Sequence, residues 1–375
     1  MKILVTGAKG FIGKNLIAEL KNQEYFNVYE YDIDSSIEDL SQYSKDCEFV
    51  FHLAGVNRPK EDREFFDGNY GFTSILLDIL KKHNNKSPIM LASSIQALLD
   101  NPYGISKKSG EDLLFRYGKE TGARILVYRF PNVFGKWCKP YYNSAVATFS
   151  YNIVNNIPLT VNDPNIMMNL VYIDDVVSEL IRAINGKENR KDGFCYVKPV
   201  YTAKLGKIAE LLYSFKNSRN DLSIPDMDDA FTKKLYANYL SYLPSDQFIY
   251  NLKMNIDHRG SFTEFIVTPD RGQISINISK PGMTKGNHWH HTKSEKFLVV
   301  SGKGMIRFRK IDGTKIMEYL VSGEKLQVVD IPPGYTHCIE NLGDTDMVTV
   351  IWASEKLDPR RPDTFFMEVL SNEKT

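Results

Sequence analysis

Only four cysteines, Cys47, Cys138, Cys195 and Cys338, occur in 375 residues, far apart and without C-x-x-C spacing. That excludes a disulfide framework and a thiolate zinc site and predicts free thiols in a reducing compartment. No apolar run approaches the ~18 residues of a membrane span, so no membrane partner is expected. Neither charge dominates: 47 basic residues against 46 acidic leave a net +1, which argues against a nucleic-acid partner. Met1 and Lys2 lead directly into "ILVTG" with no charged, apolar and cleavage regions in series, and a cytoplasmic location is expected. Internal repeats and low-complexity segments are lacking, and the "SNEKT" end reads as a solvated tail. What the chain does have is 42% apolar residues, enough at this length for two cores.

The first half alternates short apolar runs with amphipathic stretches: "KILVTG", a helix from Phe11, "NVYEYD", "EFVFHLAG", a helix from Phe65, "PIMLASS", a helix from Tyr103, "RILVYRF". Strand, helix, strand at this spacing implies parallel pairing, because parallel strands need a long crossover. The expected fold is an α/β Rossmann-like, doubly wound parallel sheet. Helical patterns continue through "KLGKIAELLYSF" and "FTKKLYANYLSYL". Beyond "YLPSDQF" the chain turns to short strand-like runs such as "SFTEFIV", "QISINIS", "KFLVVSG" and "DMVTVIW", punctuated by turn residues, which suggests an all-β barrel or jelly roll. The boundary falls near Pro244, giving expected domains 1–243 and 244–375.

Gly7, Gly10 and Gly13 form G-x-x-G-x-x-G directly after the first strand and at the start of a helix. Missing Cβ atoms there let the backbone approach a pyrophosphate, and the helix N-terminus offers unpaired N–H groups. Asp32, at the end of the second strand, suits a ribose hydroxyl and favours NADH; Lys9, inside the glycine loop, suits a 2′-phosphate and favours NADPH. Further on, "SSIQALLDNPYGISK" contains Ser94, Tyr103 and Lys107. Tyr103 and Lys107 are four apart on one helix face, so the ammonium is expected to lower the phenol pKa and make Tyr103 a proton donor to a carbonyl receiving hydride. Ser94 would hydrogen-bond the same oxygen.

In "TGAKGFIG", "FHLAG", "SS" followed by "YGISK", "YRFPNVFG" and "VYIDD", residues 1 to 243 resemble the extended short-chain dehydrogenase/reductases. The resemblance implies Ser94, Tyr103 and Lys107 as the catalytic set. It also implies cofactor contacts from Gly7, Lys9, Gly10, Phe11, Ile12 and Gly13, from Asp32, from Leu53, Ala54 and Gly55, and from Tyr103 and Lys107. Arg129 and Asn132 match a stretch near the nucleotide-sugar pocket. Only eight residues separate Ser94 from Tyr103, a shorter connection than is usual, which predicts a reduced loop over the substrate.

A second chemistry lies in "GMTKGNHWHHTKSEKFLVVSG". Residues i and i+2 of a strand point to one side, so His288 and His290 face one interior, where a carboxylate and a third imidazole can converge. The spacing of Gly282, His288, His290, Glu295 and Gly302, with "PPGYTHCIEN" carrying His337, resembles the two motifs of the cupins. That resemblance implies an all-β cupin jelly-roll barrel whose metal ligands are His288, His290, Glu295 and His337. Three nitrogens and one oxygen suit zinc, with another divalent metal as the alternative. His291 is expected to point outward.

A reductase followed by a cupin resembles, across the whole chain, the bifunctional capsular polysaccharide enzymes of UDP-N-acetyl-L-fucosamine biosynthesis. This implies a UDP-linked 4-keto-6-deoxy amino sugar as substrate: C3 epimerisation in the cupin, then C4 reduction with NADPH (NADH being the alternative) to UDP-N-acetyl-6-deoxy-L-talosamine. Lys296, Tyr335 and His291 are candidates for the acid and base of the epimerisation. A homodimer through the cupin is expected. Two rival readings are a reductase or epimerase whose cupin serves only dimerisation or regulation, and a nucleotide-binding regulator without turnover.

Overall fold

The computed structural model describes residues 1–370 apart from 269, 357 and 359. The "SNEKT" end lies outside the described residues. The chain divides into two compact units, Met1–Ser214 with Asp228–Pro244, and Phe215–Met227 with Ser245–Thr375. A linear boundary at 243/244 does not anticipate that 215–227 groups with the second unit; there the Leu222 carbonyl accepts the Val267 N–H at 2.9 Å. Among the described residues, no helix is long and apolar enough to cross a membrane.

The first unit is built on a parallel sheet. Its order is Val28–Tyr31, Ile3–Thr6, Phe49–His52, Ile89–Ser94, Ile125–Phe130, then the short strands Phe194–Cys195 and Arg190–Lys191. The first five strands pair parallel. Ile3–Thr6 and Phe49–His52 are buried at every position, as expected of strands covered on both faces. Strand order reverses between these two, which opens a crevice beyond their carboxyl ends. A small sheet of Tyr201–Lys204, Met167–Tyr172 and Asn132–Phe134 completes the strands of this unit. "VYIDD" thus straddles a strand end and the start of helix Ile173–Ile184. The helix expected from Phe65 is divided: Asp62–Phe66, a π-helical turn at Asp67–Gly71, then Phe72–Lys82.

The second unit is all β. A six-stranded sheet runs Asn255–Asp257, Gly260–Thr268, Gly272–Ser279, Met347–Ala353, Glu295–Ser301, Val328–Ile331, and a five-stranded one runs Ile316–Ser322, Lys303–Lys310, Tyr335–Asn341, Thr284–Trp289, Phe365–Phe366. All of these pairs are antiparallel. Phe297, Val299, Ile306, Phe308, Ile339 and Met347 form its apolar core.

Candidate active and metal sites

The glycine loop has the geometry that its sequence requires. Gly7 has φ +71°, and a Cβ there would lie 2.7 Å from the Ala54 nitrogen; a Cβ on Gly13 would lie 2.2 Å from the Gly7 carbonyl. The helix Phe11–Asn22 starts at Gly10 with no side-chain cap and no acidic residue in its first turn. Its N–H groups and partial positive charge therefore face the crevice uncontested, which fits a pyrophosphate. Leu53, Ala54 and Gly55 form the opposite lip. His52 beneath them is fixed between the Thr6 and Thr73 hydroxyls, at 2.8 Å each, and burial pushes its pKa down to about 3. Asp32 accepts the Lys9 backbone N–H at 2.7 Å, while the Lys9 ammonium pairs with Asp34. The two residues that point to different cofactors thus stand together at one lip.

Ser94 ends the fourth strand, and Tyr103 and Lys107 lie on helix Pro102–Thr121, capped by Asn101, whose Oδ1 accepts the Gly104 N–H at 2.8 Å. The connection between them is one 3-10 turn, Ile95–Leu98. Gly104 allows the helix to sit directly on it: a Cβ there would lie 2.3 Å from the Gln96 carbonyl. Lys107 is buried, donates to the Ala92 carbonyl at 3.2 Å, and lies 5.9 Å from the centre of the Tyr103 ring. Its ammonium is also 2.8 Å from where a Gly55 Cβ would stand, so helix Pro102–Thr121 and the 53–55 lip meet at this lysine.

The expectation of a lowered phenol pKa is not met. Burial pushes Tyr103 up to about 12, opposed by the Ser94 hydroxyl, and pushes Lys107 down to about 8 against the pull of Glu111. Desolvation dominates, so Tyr103 rests as a proton-bearing phenol. Arg129 forms a bidentate pair with Glu111, at 2.9 and 2.6 Å, and stacks 3.8 Å from the Phe194 ring. Asn132 is exposed and donates to the Asn169 carbonyl at 3.1 Å. Sequence reasoning missed Asn69, whose amide holds both backbone groups of Val56 and donates to Ser106 Oγ at 3.0 Å. The π-helical turn that aims it left no trace in the hydrophobic pattern.

In the second unit, His288, His290, Glu295 and His337 place one ligand atom each within 4.8 Å of one another. The imidazole centroids are 5.0 Å (288–290), 4.5 Å (288–337) and 5.4 Å (290–337) apart. Nε2 of His290 and Nε2 of His337 lie 3.5 and 3.3 Å from Glu295 Oε2, yet both nitrogens are buried without a hydrogen-bond partner. Orphaned buried nitrogens are costly unless something binds them. Burial pushes His288 down to about 4, which favours the neutral, ligating form. Burial would raise the Glu295 carboxyl, but the imidazoles of His290 and His337 outweigh it and hold the group ionised, well below the usual carboxylate range. The donor set and the orphaned atoms fit a divalent metal.

His288 and Glu295 also line a cavity of about 760 Å³ with Lys285, Lys293, Asn277 and Phe297. The expected acid and base candidates fall elsewhere. Lys296 is exposed and pairs with Asp330; Tyr335 lines a different cavity; His291 is exposed and packs on Trp289 and Phe365.

Residues 3–196 match the NAD dependent epimerase/dehydratase family, and residues 255–365 match the polysaccharide biosynthesis C-terminal domain. The chain is 42% identical over 369 residues to a UDP-2-acetamido-2,6-beta-L-arabino-hexul-4-ose reductase of Pseudomonas aeruginosa, covering 98% of this chain and 99% of the relative. The crystal structure of the capsular polysaccharide assembling protein CapF from Staphylococcus aureus superposes with a TM-score of 0.94 at 56% identity, covering 98% of this chain and all of the other. A UDP-glucuronic acid 4-epimerase from Bacillus cereus, 22% identical over 64% of this chain and with a TM-score of 0.55, shares the fold of the first unit. The uncapped glycine loop, the buried lysine beside a tyrosine and these likenesses agree: the chain belongs to the NAD dependent epimerase/dehydratase family and carries a polysaccharide biosynthesis C-terminal domain.

Proposed function

We propose that the chain is a bifunctional nucleotide-sugar enzyme of capsular polysaccharide synthesis. Its C-terminal domain, 244–375, inverts C3 of a UDP-linked 2-acetamido-2,6-dideoxy-4-hexulose, and its N-terminal domain, 1–243, then reduces the C4 ketone to give UDP-N-acetyl-6-deoxy-L-talosamine. The reading takes NADPH as the cofactor, zinc as the metal, a homodimer through the cupin as the assembly and the cytoplasm as the location. The observation that carries it is the presence, in one chain, of a reductase constellation and a separate buried His3Glu cluster. The named activities of the Pseudomonas and Staphylococcus relatives support it.

A bound nicotinamide supplies the hydride. Tyr103 donates its phenol proton to the C4 oxygen as negative charge develops there, Ser94 holds that oxygen, and the Lys107 ammonium stabilises the phenolate left behind. In the second unit, His288, His290, Glu295 and His337 would hold a divalent ion, which would supply Lewis-acid polarisation of the ketone and so acidify the C–H at C3. Once the ketone is reduced, that acidity is gone, so epimerisation comes first.

The test incubates the purified chain in D2O with the keto sugar, first without and then with NADPH, and follows the C3 proton by NMR. Deuterium entering at C3 before any cofactor is added, followed by NADPH consumption, is the expected result. Consumption without exchange at any carbon would reduce the cupin to a scaffold.

A further inference from the structure

The described segment from Asp363 to Val369 is laid against the His3Glu cluster, and its first residue makes more contacts there than its sequence suggests. The Asp363 carboxylate accepts three consecutive backbone N–H groups, from His291 (2.8 Å), Thr292 (2.7 Å) and Lys293 (2.8 Å), and the Thr292 hydroxyl at 3.0 Å. Its own backbone carbonyl accepts from His290 Nδ1. Phe365 and Phe366 then pair with Trp289 and His288, and the Met367 N–H reaches the Asn287 carbonyl at 2.9 Å. The turn that leads from His290 to Glu295 is therefore clamped at both its backbone and its imidazole by one residue about 70 positions downstream.

We infer that Asp363 is the positioning residue of the metal centre: its carbonyl fixes the tautomer and ring plane of His290, and its carboxylate holds the 291–293 turn that presents Glu295. A carbonyl can only accept, so Nδ1 carries the proton and Nε2 keeps its lone pair, turned to Glu295 Oε2 3.5 Å away. A metal-ligating histidine works in this way when an outer acceptor orients it. The inference rests on the metal reading above.

The experiment uses the full chain stripped of metal, with zinc alone as the probe, in competition with a chromophoric chelator. Wild type should take up one zinc per chain. Asp363→Ala should bind it roughly 10- to 100-fold more weakly, the range seen when an outer partner is lost, and Asp363→Asn, which keeps one acceptor oxygen, should fall between. Long-range ¹H–¹⁵N spectra of the histidine rings should show a single Nδ1–H form for His290 in wild type; Asp363→Ala keeps the backbone carbonyl but releases the carboxylate clamp that holds it against His290, so mixed tautomers are expected there, and an unchanged single Nδ1–H form would overturn the carboxylate's part in positioning the ring. Where Asp363→Ala does not fold, by circular dichroism, Thr292→Val removes only the hydroxyl bond and should weaken zinc binding by a smaller factor. Unchanged affinity in the folded variants overturns the inference. A wild-type chain that takes up no zinc overturns the metal reading itself, and the inference with it.

Discussion

Lys285 and His288 stand three residues apart on one strand, a spacing that ordinarily sends side chains to opposite faces, yet both line the same cavity. The cause is a bulge at Asn287: Lys285 pairs opposite Ile339 and Gly286 opposite Cys338, but the next pair is His288 opposite His337. Asn287 takes φ +57°, and its Oδ1 accepts the Val369 N–H at 3.2 Å. Asn287→Val should cost about 1–2 kcal/mol from its left-handed backbone and weaken zinc binding. Asn287→Gly, which keeps the conformation, should do markedly less. Chemical denaturation and chelator competition read the two effects.

Tyr103→Phe removes the proton donor and leaves the glycine loop untouched. NADPH consumption should fall by about 10²- to 10⁴-fold, the range of a lost general acid, while cofactor affinity from fluorescence titration stays near wild type. Equal turnover would favour the reading of the chain as a regulator.

The Lys107 pKa, pushed down to about 8 from 10.5, makes stability depend on pH. Between those values the unfolded chain holds a proton that the folded chain has released, so stability rises with pH across this window, and below about 8 burial costs roughly 3 kcal/mol. Lys107→Met should remove that rise. Urea midpoints at pH 7.5 and 10 for both proteins measure it; equal slopes would show that the lysine is not desolvated as the fold implies. Hydride transfer in wild type should decline as pH rises through about 8, where the ammonium is lost.

Glu295→Gln keeps the shape of the ligand and removes its charge. Zinc stoichiometry and deuterium exchange at C3 should both fall, and a chelator should do the same to wild type. Reduction of a substrate already inverted at C3 should continue. Loss of both activities together would instead tie the cluster to the reductase.

Arg129→Met leaves Glu111, whose side chain is fully buried, without its cationic partner and with only the Ser93 hydroxyl donating to it at 2.6 Å. The loss should be about 3–5 kcal/mol, the cost of an uncompensated buried charge. A denaturation series checks it. A large rise in KM with stability unchanged would place Arg129 at the substrate pocket.

Much of the first unit was legible because its signals are local. A glycine loop, a Tyr and a Lys four apart on a helix, and short apolar runs between amphipathic stretches are fixed by backbone geometry within a few residues. The same holds for His288 and His290, which the two-residue period of a strand puts on one side. Tertiary structure alone decided whatever depends on partners distant in sequence. Burial raised the Tyr103 phenol, Glu111 turned Arg129 inward, and a π-helical turn aimed Asn69. In the second unit, one extra residue at 287 reset the facing of the strand, and Asp363, in a stretch with no motif, closed over the His3Glu cluster. Local sequence sets which conformations a segment favours; desolvation, pairing and register come from what the fold packs against it, and those set the chemistry of the sites.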